Sequence, residues 1–168
     1  YPIRSTEQQS RNFRIHEDFL NHIDILPENI HIPDGTISED KVSEYCASYD
    51  HSVRKIDLMI IGVGENGQIG FNEPGEAFEL ETHCVDLTEA TIEANKRFFD
   101  GNEDLVPKQA YTMGIKTIMQ ARKVLVVANG LAKAKAVKAV VSGPVTPECP
   151  GSILQMHPDC ILVADEEA

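Results

Sequence analysis

The sequence predicts an α/β protein whose sheet is mainly parallel and doubly wound, with helices on both faces. Three short, almost continuously apolar runs support this fold class: residues 56–61, Lys123–Ala128 and Cys160–Ala164. Runs of this length are typical of strands that are covered on both faces, as in parallel sheets. The intervals between the runs are long enough for helices, which would join parallel strands by right-handed crossovers. We therefore expect one Rossmann-like sheet that contains all three runs.

The segment before the first apolar run is predicted to contain two helices and one short strand. Ser5 and Thr6 are typical of a helix start, and the spacing of the following apolar residues carries that helix to about Asn21. Residues 29–32 alternate between apolar and polar side chains, as a short strand does. A second helix is expected to begin near Ser38 and to end before the first apolar run.

The rest of the chain is predicted to alternate between short strands and helices. Thr88, with an acidic residue directly behind it, is a predicted helix cap, and its helix is expected to run through Arg97. Residues 143–150 hold three of the nine prolines, so we expect a loop there. The remaining predicted elements are strands at 82–87 and 110–113, a loop at 101–107, and helices at 114–120, 131–142 and 151–156.

The charge of the chain limits its partners. Its 168 residues carry a formal net charge of −12, which argues against binding to nucleic acids or to anionic membrane surfaces. A phosphorylated small molecule remains compatible with this charge, because a local cluster of a few cations is enough to hold one. The length suits one domain with a sizeable core.

The cysteines and histidines show no pattern of a disulfide framework or a metal site. Cys46, Cys84, Cys149 and Cys160 are widely spaced and form no C-x-x-C motif. They are typical of reduced thiols in a cytoplasmic protein. No apolar run approaches the 18 or so residues that a membrane span requires. We therefore expect a cytoplasmic protein without a metal or another cofactor.

The segment that directly follows the first apolar run concentrates the polar side chains most suited to a binding site. Its sequence is GVGENGQIGFNEPG, and it brings Asn66, Gln68, Asn72 and Glu73 within eight residues of one another. In an open α/β sheet, ligands bind just outside the carboxyl ends of the strands. Glycines there allow close approach of a ligand to the backbone. The alternative is an Asn- and Gly-rich turn that only leads out of the strand.

This segment resembles the active-site loop of the glucosamine-6-phosphate deaminase/isomerase family. The family pattern is approximately G-x-G-x-[DN]-G-H-I-[AG]-F-N-E-P, and the chain departs from it only at Gln68, where the family has histidine. Three later segments resemble the family in the same order: ANKRFF at 94–99, VPKQAYTMGI at 106–115 and LQMHP at 154–158. The resemblance covers nearly the whole chain.

The resemblance implies isomerisation of a 2-amino-2-deoxy-hexose 6-phosphate to fructose 6-phosphate with loss of ammonia. It assigns the catalytic positions to Asn66, Gln68 and Glu73. A histidine suits ring opening because its pKa lies near neutrality, whereas the amide of Gln68 does not titrate. Glu73 is the carboxylate of this loop that could accept a proton. The family's C2 base is an aspartate that this chain lacks.

The resemblance also implies a phosphate site. It places Gly64 and Gly67 in the ligand-binding loop and assigns phosphate contacts to Arg97 and Lys133. Arginine offers a bidentate fork, and a lysine in the first turn of a helix adds a full charge near the helix N-terminus. An exposed face of a lysine-rich helix is the alternative for Lys133, because two more lysines follow on the same helix.

Several alternatives stay open at the level of the sequence. A non-catalytic sugar-phosphate-binding relative is compatible with Gln68, and a 6-phosphogluconolactonase shares the fold, although FNEP differs from that enzyme's F-P-G ending. The substrate could be glucosamine 6-phosphate or its galacto epimer. The sequence is also compatible with a homo-oligomer. Against the family pattern, residues 1–168 form a single domain that is expected to be incomplete at both ends.

Overall fold

The computed structural model describes all 168 residues and contains a three-stranded parallel sheet. Its strands are β1 (Leu58–Gly62), β4 (Lys123–Ala128) and β5 (Cys160–Ala164), in the order β1-β4-β5. Both pairs of neighbours are parallel, with Met59 opposite Val124 in β1 and β4. The predicted sheet of three parallel strands is therefore confirmed, with β1 beginning two residues later than the apolar run.

Helices connect the strands, and most of the predicted ones are present. Two helices precede β1, and β5 follows a 3₁₀ helix that covers the predicted helix at 151–156. The helix expected to run through Arg97 ends earlier and continues as a 3₁₀ turn, Lys96–Phe98. The helices are α1 (Arg11–Asp18), α2 (Val42–Ser52), α3 (Glu89–Asn95), α4 (Ile115–Met119), α5 (Ala134–Ser142) and the 3₁₀ helix Pro150–Met156.

The two other predicted strands form a separate antiparallel pair. They are β2 (His83–Asp86) and β3 (Gln109–Thr112), whose residues pair in antiparallel register. A cluster of buried side chains lies beneath this pair and α3; its members are Leu87, Ile92, Phe99, Val106 and Ala110. The pair is placed against the main sheet where the polar loop leaves β1, because Phe71 of that loop packs on this cluster.

The parallel sheet differs from the expectation in its burial, because only one of its faces is covered by residues 1–168. The covered face carries Met59, Val124 and Val126, which pack with residues of α4 and with Leu154 of the last 3₁₀ helix. Side chains alternate between the two faces of a strand. The other face leaves its apolar side chains substantially exposed: Leu58, Ile60, Val127, Ile161 and Val163.

Two predictions for the N-terminal part are wrong. The first helix begins at Arg11, not near Ser5, because Ser10 is the residue whose side chain caps it, accepting a hydrogen bond from the backbone N–H of Asn12 at 3.1 Å. Residues 29–32 form no strand. A 3₁₀ turn, Pro27–Asn29, precedes them, and no other strand pairs with them. An alternating pattern alone does not make a strand where no partner is available.

None of the helices has the length and the continuous apolar character that crossing a membrane demands.

Candidate active site

The loop after β1 folds back on itself and is fixed to the core. The backbone N–H of Gly64 donates to the carbonyl oxygen of Gln68 at 2.8 Å, and that of Gly67 donates to the carbonyl oxygen of Gly64 at 3.0 Å. Directly behind this turn, the side chain of Ile69 is fully buried in the core beneath the sheet. The polar residues of the loop are therefore presented from a turn that is anchored at its base.

Two glycines of the loop are required by close contacts. A Cβ atom on Gly64 would lie 2.3 Å from Cγ of Gln68, so the side chain of Gln68 occupies the space that any larger residue would need. Gly67 has a positive φ of 86°, and a Cβ atom on it would lie 2.6 Å from Sγ of Cys149. Gly67 thus packs against the segment around Cys149, and its role in the loop is to allow this close packing and the positive φ.

Gln68 is buried, and both ends of its amide have protein partners. Its Oε1 accepts a hydrogen bond from the hydroxyl of Thr91 at 2.6 Å, and its Nε2 donates to the carbonyl oxygen of Gly70 at 2.9 Å. Only 8% of the residue is exposed. The amide is therefore held in one orientation by α3 on one side and by its own loop on the other.

Asn66 and Glu73 are joined across the loop. The amide Nδ2 of Asn66 donates to Oε2 of Glu73 at 2.9 Å, and Oδ1 of Asn66 accepts from the backbone N–H of Gln68 at 3.1 Å. The hydroxyl of Thr88 donates to the same Oε2 of Glu73 at 3.3 Å. The other carboxylate oxygen, Oε1, is buried without a partner. A buried polar atom without a partner in a native structure usually has a functional role or binds a water molecule.

Asn72 ties the loop to the end of β3. Its Nδ2 donates to the carbonyl oxygen of Ile69 at 2.9 Å and to that of Met113 at 2.8 Å. The neighbouring backbone N–H of Phe71 donates to the hydroxyl of Thr112 at 3.0 Å. These contacts join residues 41 positions apart in the chain, so the loop is fixed to the antiparallel pair as well as to the parallel sheet.

A cavity of about 530 Å³ lies next to this loop. Its walls come from the loop, from the end of β1, from α3 with the 3₁₀ turn behind it, from the first residue of α1, and from the turn before α5. Of the seven residues predicted for the site, five line this cavity: Gly64, Asn66, Gln68, Arg97 and Lys133. The structure thus brings both predicted phosphate contacts to one cavity beside the loop.

The other two predicted site residues lie outside the lining of this cavity. Gly67 is buried against Cys149, as described above. Glu73 lines a neighbouring cavity of about 460 Å³ and reaches the first one only through its hydrogen bond to Asn66. The carboxylate is therefore directly behind the amide that faces the cavity.

Another part of the cavity wall is positively charged, in contrast to the loop. Arg97 belongs to the 3₁₀ turn after α3, and its guanidinium carbon lies 4.8 Å from the centroid of the Phe98 ring. Lys133 ends the 3₁₀ turn Leu131–Lys133 that leads into α5. Neither side chain is among the ion pairs of the structure. Both charges are therefore available to an anionic ligand.

Three residues of the site were not predicted from the sequence. Thr88 was expected to cap α3, which it does, but its second hydrogen bond, to Glu73, was not foreseen. The contact of Thr91 with Gln68 and the presence of Arg11 in the cavity wall were also missed. Arg11 opens a helix far from the loop in sequence and belongs to no motif, so no local signal points to it.

The thiol nearest to the loop is Cys149, and burial raises its pKa above the usual value. All four cysteines are free thiols in the structure.

A glycine-rich loop at the end of a parallel strand, with cations around an adjacent cavity, is typical of α/β proteins that bind small phosphorylated molecules. Comparison with known proteins identifies the group. The family model described as glucosamine-6-phosphate isomerases/6-phosphogluconolactonase matches residues 3–162. The chain belongs to this family.

Three curated relatives of the chain share the name glucosamine-6-phosphate deaminase. A glucosamine-6-phosphate deaminase of Clostridioides difficile is 46% identical over the whole chain, which spans 68% of that relative. A glucosamine-6-phosphate deaminase of Clostridium perfringens is 48% identical over 99% of the chain and 69% of the relative. A third, from Thermoanaerobacter pseudethanolicus, is 47% identical over 95% of the chain and 63% of the relative. The chain spans about two thirds of the length of these relatives.

Solved structures agree on the fold. A monomeric glucosamine-6-phosphate deaminase superposes with a TM-score of 0.92 at 37% identity, over 98% of this chain and 68% of that one. A 6-phosphogluconolactonase from Trypanosoma cruzi superposes with a TM-score of 0.73 at 15% identity, over 99% of this chain and 67% of that one. The predicted α/β fold class is confirmed by the first comparison, and the second shows the shared fold alone.

Proposed function

We propose that this chain forms part of a glucosamine-6-phosphate deaminase, an enzyme that converts glucosamine 6-phosphate and water to fructose 6-phosphate and ammonia. One observation supports the proposal from the structure. The hydrogen-bonded polar loop and the two cations Arg97 and Lys133 line a single cavity. The relatives named as glucosamine-6-phosphate deaminases support it from the sequence.

The cationic part of the cavity suits the phosphate group of the substrate. Arg97 offers two parallel N–H donors to phosphate oxygens, and Lys133 adds a compact charge at the entry to α5. These contacts are far more favourable to a phosphate dianion than to a neutral sugar. They position the substrate by the end that does not react, which leaves C1 and C2 to approach the loop.

The loop part of the cavity suits the reacting end. The ring must open, a proton must move from C2 to C1 to give an imine at C2, and water must add to that imine so that ammonia can leave. Glu73 is the titratable side chain of the loop network, with Oε2 fixed by Asn66 and Thr88 and Oε1 unpartnered. We assign it the proton transfer at ring opening, through a water molecule. Asn66 and Gln68 position the sugar, because neither amide titrates.

A second function is favoured by one specific observation. Gln68, the residue in place of the family's histidine, has both ends of its amide satisfied by Thr91 and Gly70. A locked amide supplies no proton, so a sugar-phosphate-binding protein without turnover is the alternative. The proposal covers glucosamine 6-phosphate and its galacto epimer as substrates. It also includes a cytoplasmic location, which the four free thiols support.

The test is an assay of ammonia release by the complete protein, coupled to detection of fructose 6-phosphate. We expect turnover of glucosamine 6-phosphate, with galactosamine 6-phosphate run beside it to rank the two epimers. Glucosamine without the phosphate is the control and should be a poor substrate. Tight binding of the sugar phosphate with no ammonia release would establish the binding protein and overturn the enzyme. Hydrolysis of 6-phosphogluconolactone in place of deamination would assign the protein to the 6-phosphogluconolactonases of the family.

A further inference from the structure

We propose that Arg11 is a third cationic contact for the phosphate group, supplied by α1 to the cavity that Arg97 and Lys133 line. This inference rests on the proposed function in one respect, since it assumes that the ligand of the cavity carries a phosphate. It assigns a binding residue to a helix that lies outside every segment of the chain resembling the family motifs.

The position of Arg11 follows from the start of α1. Ser10 caps the helix, so Arg11 is its first residue. Its guanidinium carbon lies 5.3 Å from the centroid of the Phe98 ring. Arg97 lies 4.8 Å from the same centroid. Both distances are within the roughly 6 Å at which a cation is attracted to an aromatic ring. One ring therefore positions two guanidinium groups.

The charges around the cavity favour an anion between these groups. Of the side chains that line it, Arg11, Arg97 and Lys133 are cationic, and only Glu65 is acidic. None of the three cations belongs to an ion pair in the structure. The chain as a whole carries a net charge of −12. This cavity is therefore a local concentration of positive charge in an acidic protein.

Two guanidinium groups near one ring repel each other, and neither is ion-paired, although Asp18 and Asp100 line the adjoining cavity with them. The ring offsets part of that repulsion, and a bound dianion that contacts both groups offsets more. Arginine is suited to this role because its fork can donate two parallel hydrogen bonds to phosphate oxygens. The geometry thus favours a phosphate that is shared between α1 and the turn after α3.

Arg14 provides a matched control on the same helix. It is exposed and lies three residues beyond Arg11. Both arginines line a neighbouring cavity with Arg97, Asp18 and Asp100, but only Arg11 also lines the cavity that holds the loop. Replacing either arginine by glutamine removes one charge from α1. Only the Arg11 change removes a donor from the proposed phosphate site.

The experiment is isothermal titration calorimetry on the complete protein with glucosamine 6-phosphate, with inorganic phosphate and with glucosamine. For Arg11→Gln we expect the affinity for both phosphate-containing probes to fall roughly tenfold, the effect of losing one charge-assisted contact. Glucosamine binding should be unchanged. Arg11→Lys should give an intermediate loss, because it keeps the charge and loses the fork. Arg14→Gln should stay within about twofold of the wild type, because this exposed charge is screened by salt and lies outside the cavity lining. Thermal unfolding of each variant checks that the fold is intact.

The outcomes separate this inference from the proposed function. Equal affinities of Arg11→Gln and Arg14→Gln, together with losses in Arg97→Gln and Lys133→Ala, would overturn the role of Arg11 and leave the proposed function standing. Binding of inorganic phosphate that depends on Arg11, without any binding of glucosamine 6-phosphate, would keep the inference and overturn the function. Failure of the wild-type protein to bind either phosphate-containing probe would overturn both.

Discussion

The two parts of the cavity wall are built in opposite ways. In the loop part, Asn66, Gln68 and Asn72 are held by hydrogen bonds between 2.6 and 3.1 Å to other protein groups. In the cationic part, Arg97 and Lys133 have no carboxylate partner and are at least partly exposed. The loop part is organised before any ligand arrives, whereas the cationic part is completed by the ligand.

Because of this difference, we expect the loop part to contribute to the chemical step and the cationic part to contribute to substrate affinity. Groups that are already fixed reduce the reorganisation needed during the reaction, so the loop part is suited to the chemical step. Groups without a partner gain one on binding, so the cationic part is suited to affinity. Substitutions in the loop should therefore change kcat or stability, and substitutions among the cations should change binding with little effect on stability.

The largest expected effect is that of Glu73→Gln on turnover. The substitution keeps an oxygen that can accept hydrogen bonds from Asn66 and Thr88 but removes the only titratable group of the loop network. We expect kcat for ammonia release to fall by about 10²–10⁴-fold, the usual effect of losing a positioned acid/base. Glu76→Gln is the control, because Glu76 is exposed three residues further along the same loop. Equal kcat values for the two variants would remove Glu73 from the mechanism.

The next effect is a gain, from Gln68→His. An imidazole titrates near neutral pH, whereas the amide of Gln68 does not. We expect kcat to rise by up to about 10²-fold, the lower end of the effect of one acid/base group, and to depend on a group that titrates near neutrality. Because either side chain can hydrogen-bond the bound sugar, KM should change little.

The gain from Gln68→His has a structural condition. The new ring must keep at least one contact with Thr91 or with the carbonyl oxygen of Gly70, which now hold the amide. Gln68→Ala is the matched control, since it removes both contacts without adding an acid/base. Wild-type activity equal to or above that of the histidine variant would mean that Gln68 is no defect and that ring opening proceeds through Glu73 or without help.

A smaller effect is expected in the cationic part. Lys133→Ala should weaken binding of glucosamine 6-phosphate roughly tenfold, as expected for one charge-assisted contact, and should leave the unfolding temperature unchanged. Lys135→Ala is the control, because Lys135 lies exposed on the same helix outside the cavity lining. Calorimetric titration at two salt concentrations checks the electrostatic origin of the difference. An unchanged affinity in Lys133→Ala would leave Arg97 to hold the phosphate without it.

The sequence was enough to predict the parallel sheet, because the strands of parallel sheets are typically near-continuous apolar runs. Five of the seven candidate residues line one cavity. The loop residues and Arg97 were found in segments that resemble the family, and Lys133 was found because it matches a family lysine. The sequence did not reveal that β2 and β3 pair apart from the main sheet. Short strands with mixed side chains specify no partner, since pairing depends on contacts distant in sequence.

The parts of the site that were missed depend on long-range contacts in the same way. The hydroxyl of Thr91 meets Gln68 from 23 residues away, and Arg11 meets the ring of Phe98 from a different helix. Nothing in the local sequence of either residue distinguishes it from an ordinary helical position. The sequence also did not reveal that one apolar face of the sheet is uncovered. Apolar side chains on both faces of a strand predict that both faces of the sheet are buried.

The smallest expected effect concerns stability and tests whether the loop part is organised as described. The Thr91 hydroxyl donates to Gln68 at 2.6 Å, in a position that is 3% exposed. Thr91→Val keeps the shape and removes the hydroxyl, so that Oε1 of Gln68 is left buried without a donor. The cost should be about 1–3 kcal/mol in the free energy of unfolding, measured by denaturant titration.

The control is a double-mutant cycle with Gln68→Met. Each single change should destabilise the protein, but the double variant should lose less than the sum of the two, because replacing both partners by apolar groups leaves no polar atom buried between these two positions. Losses that simply add would show that the Thr91–Gln68 contact carries no free energy. Among the side chains of the loop, the contrast between a prearranged loop part and a ligand-dependent cationic part would then rest on Asn66 and Asn72.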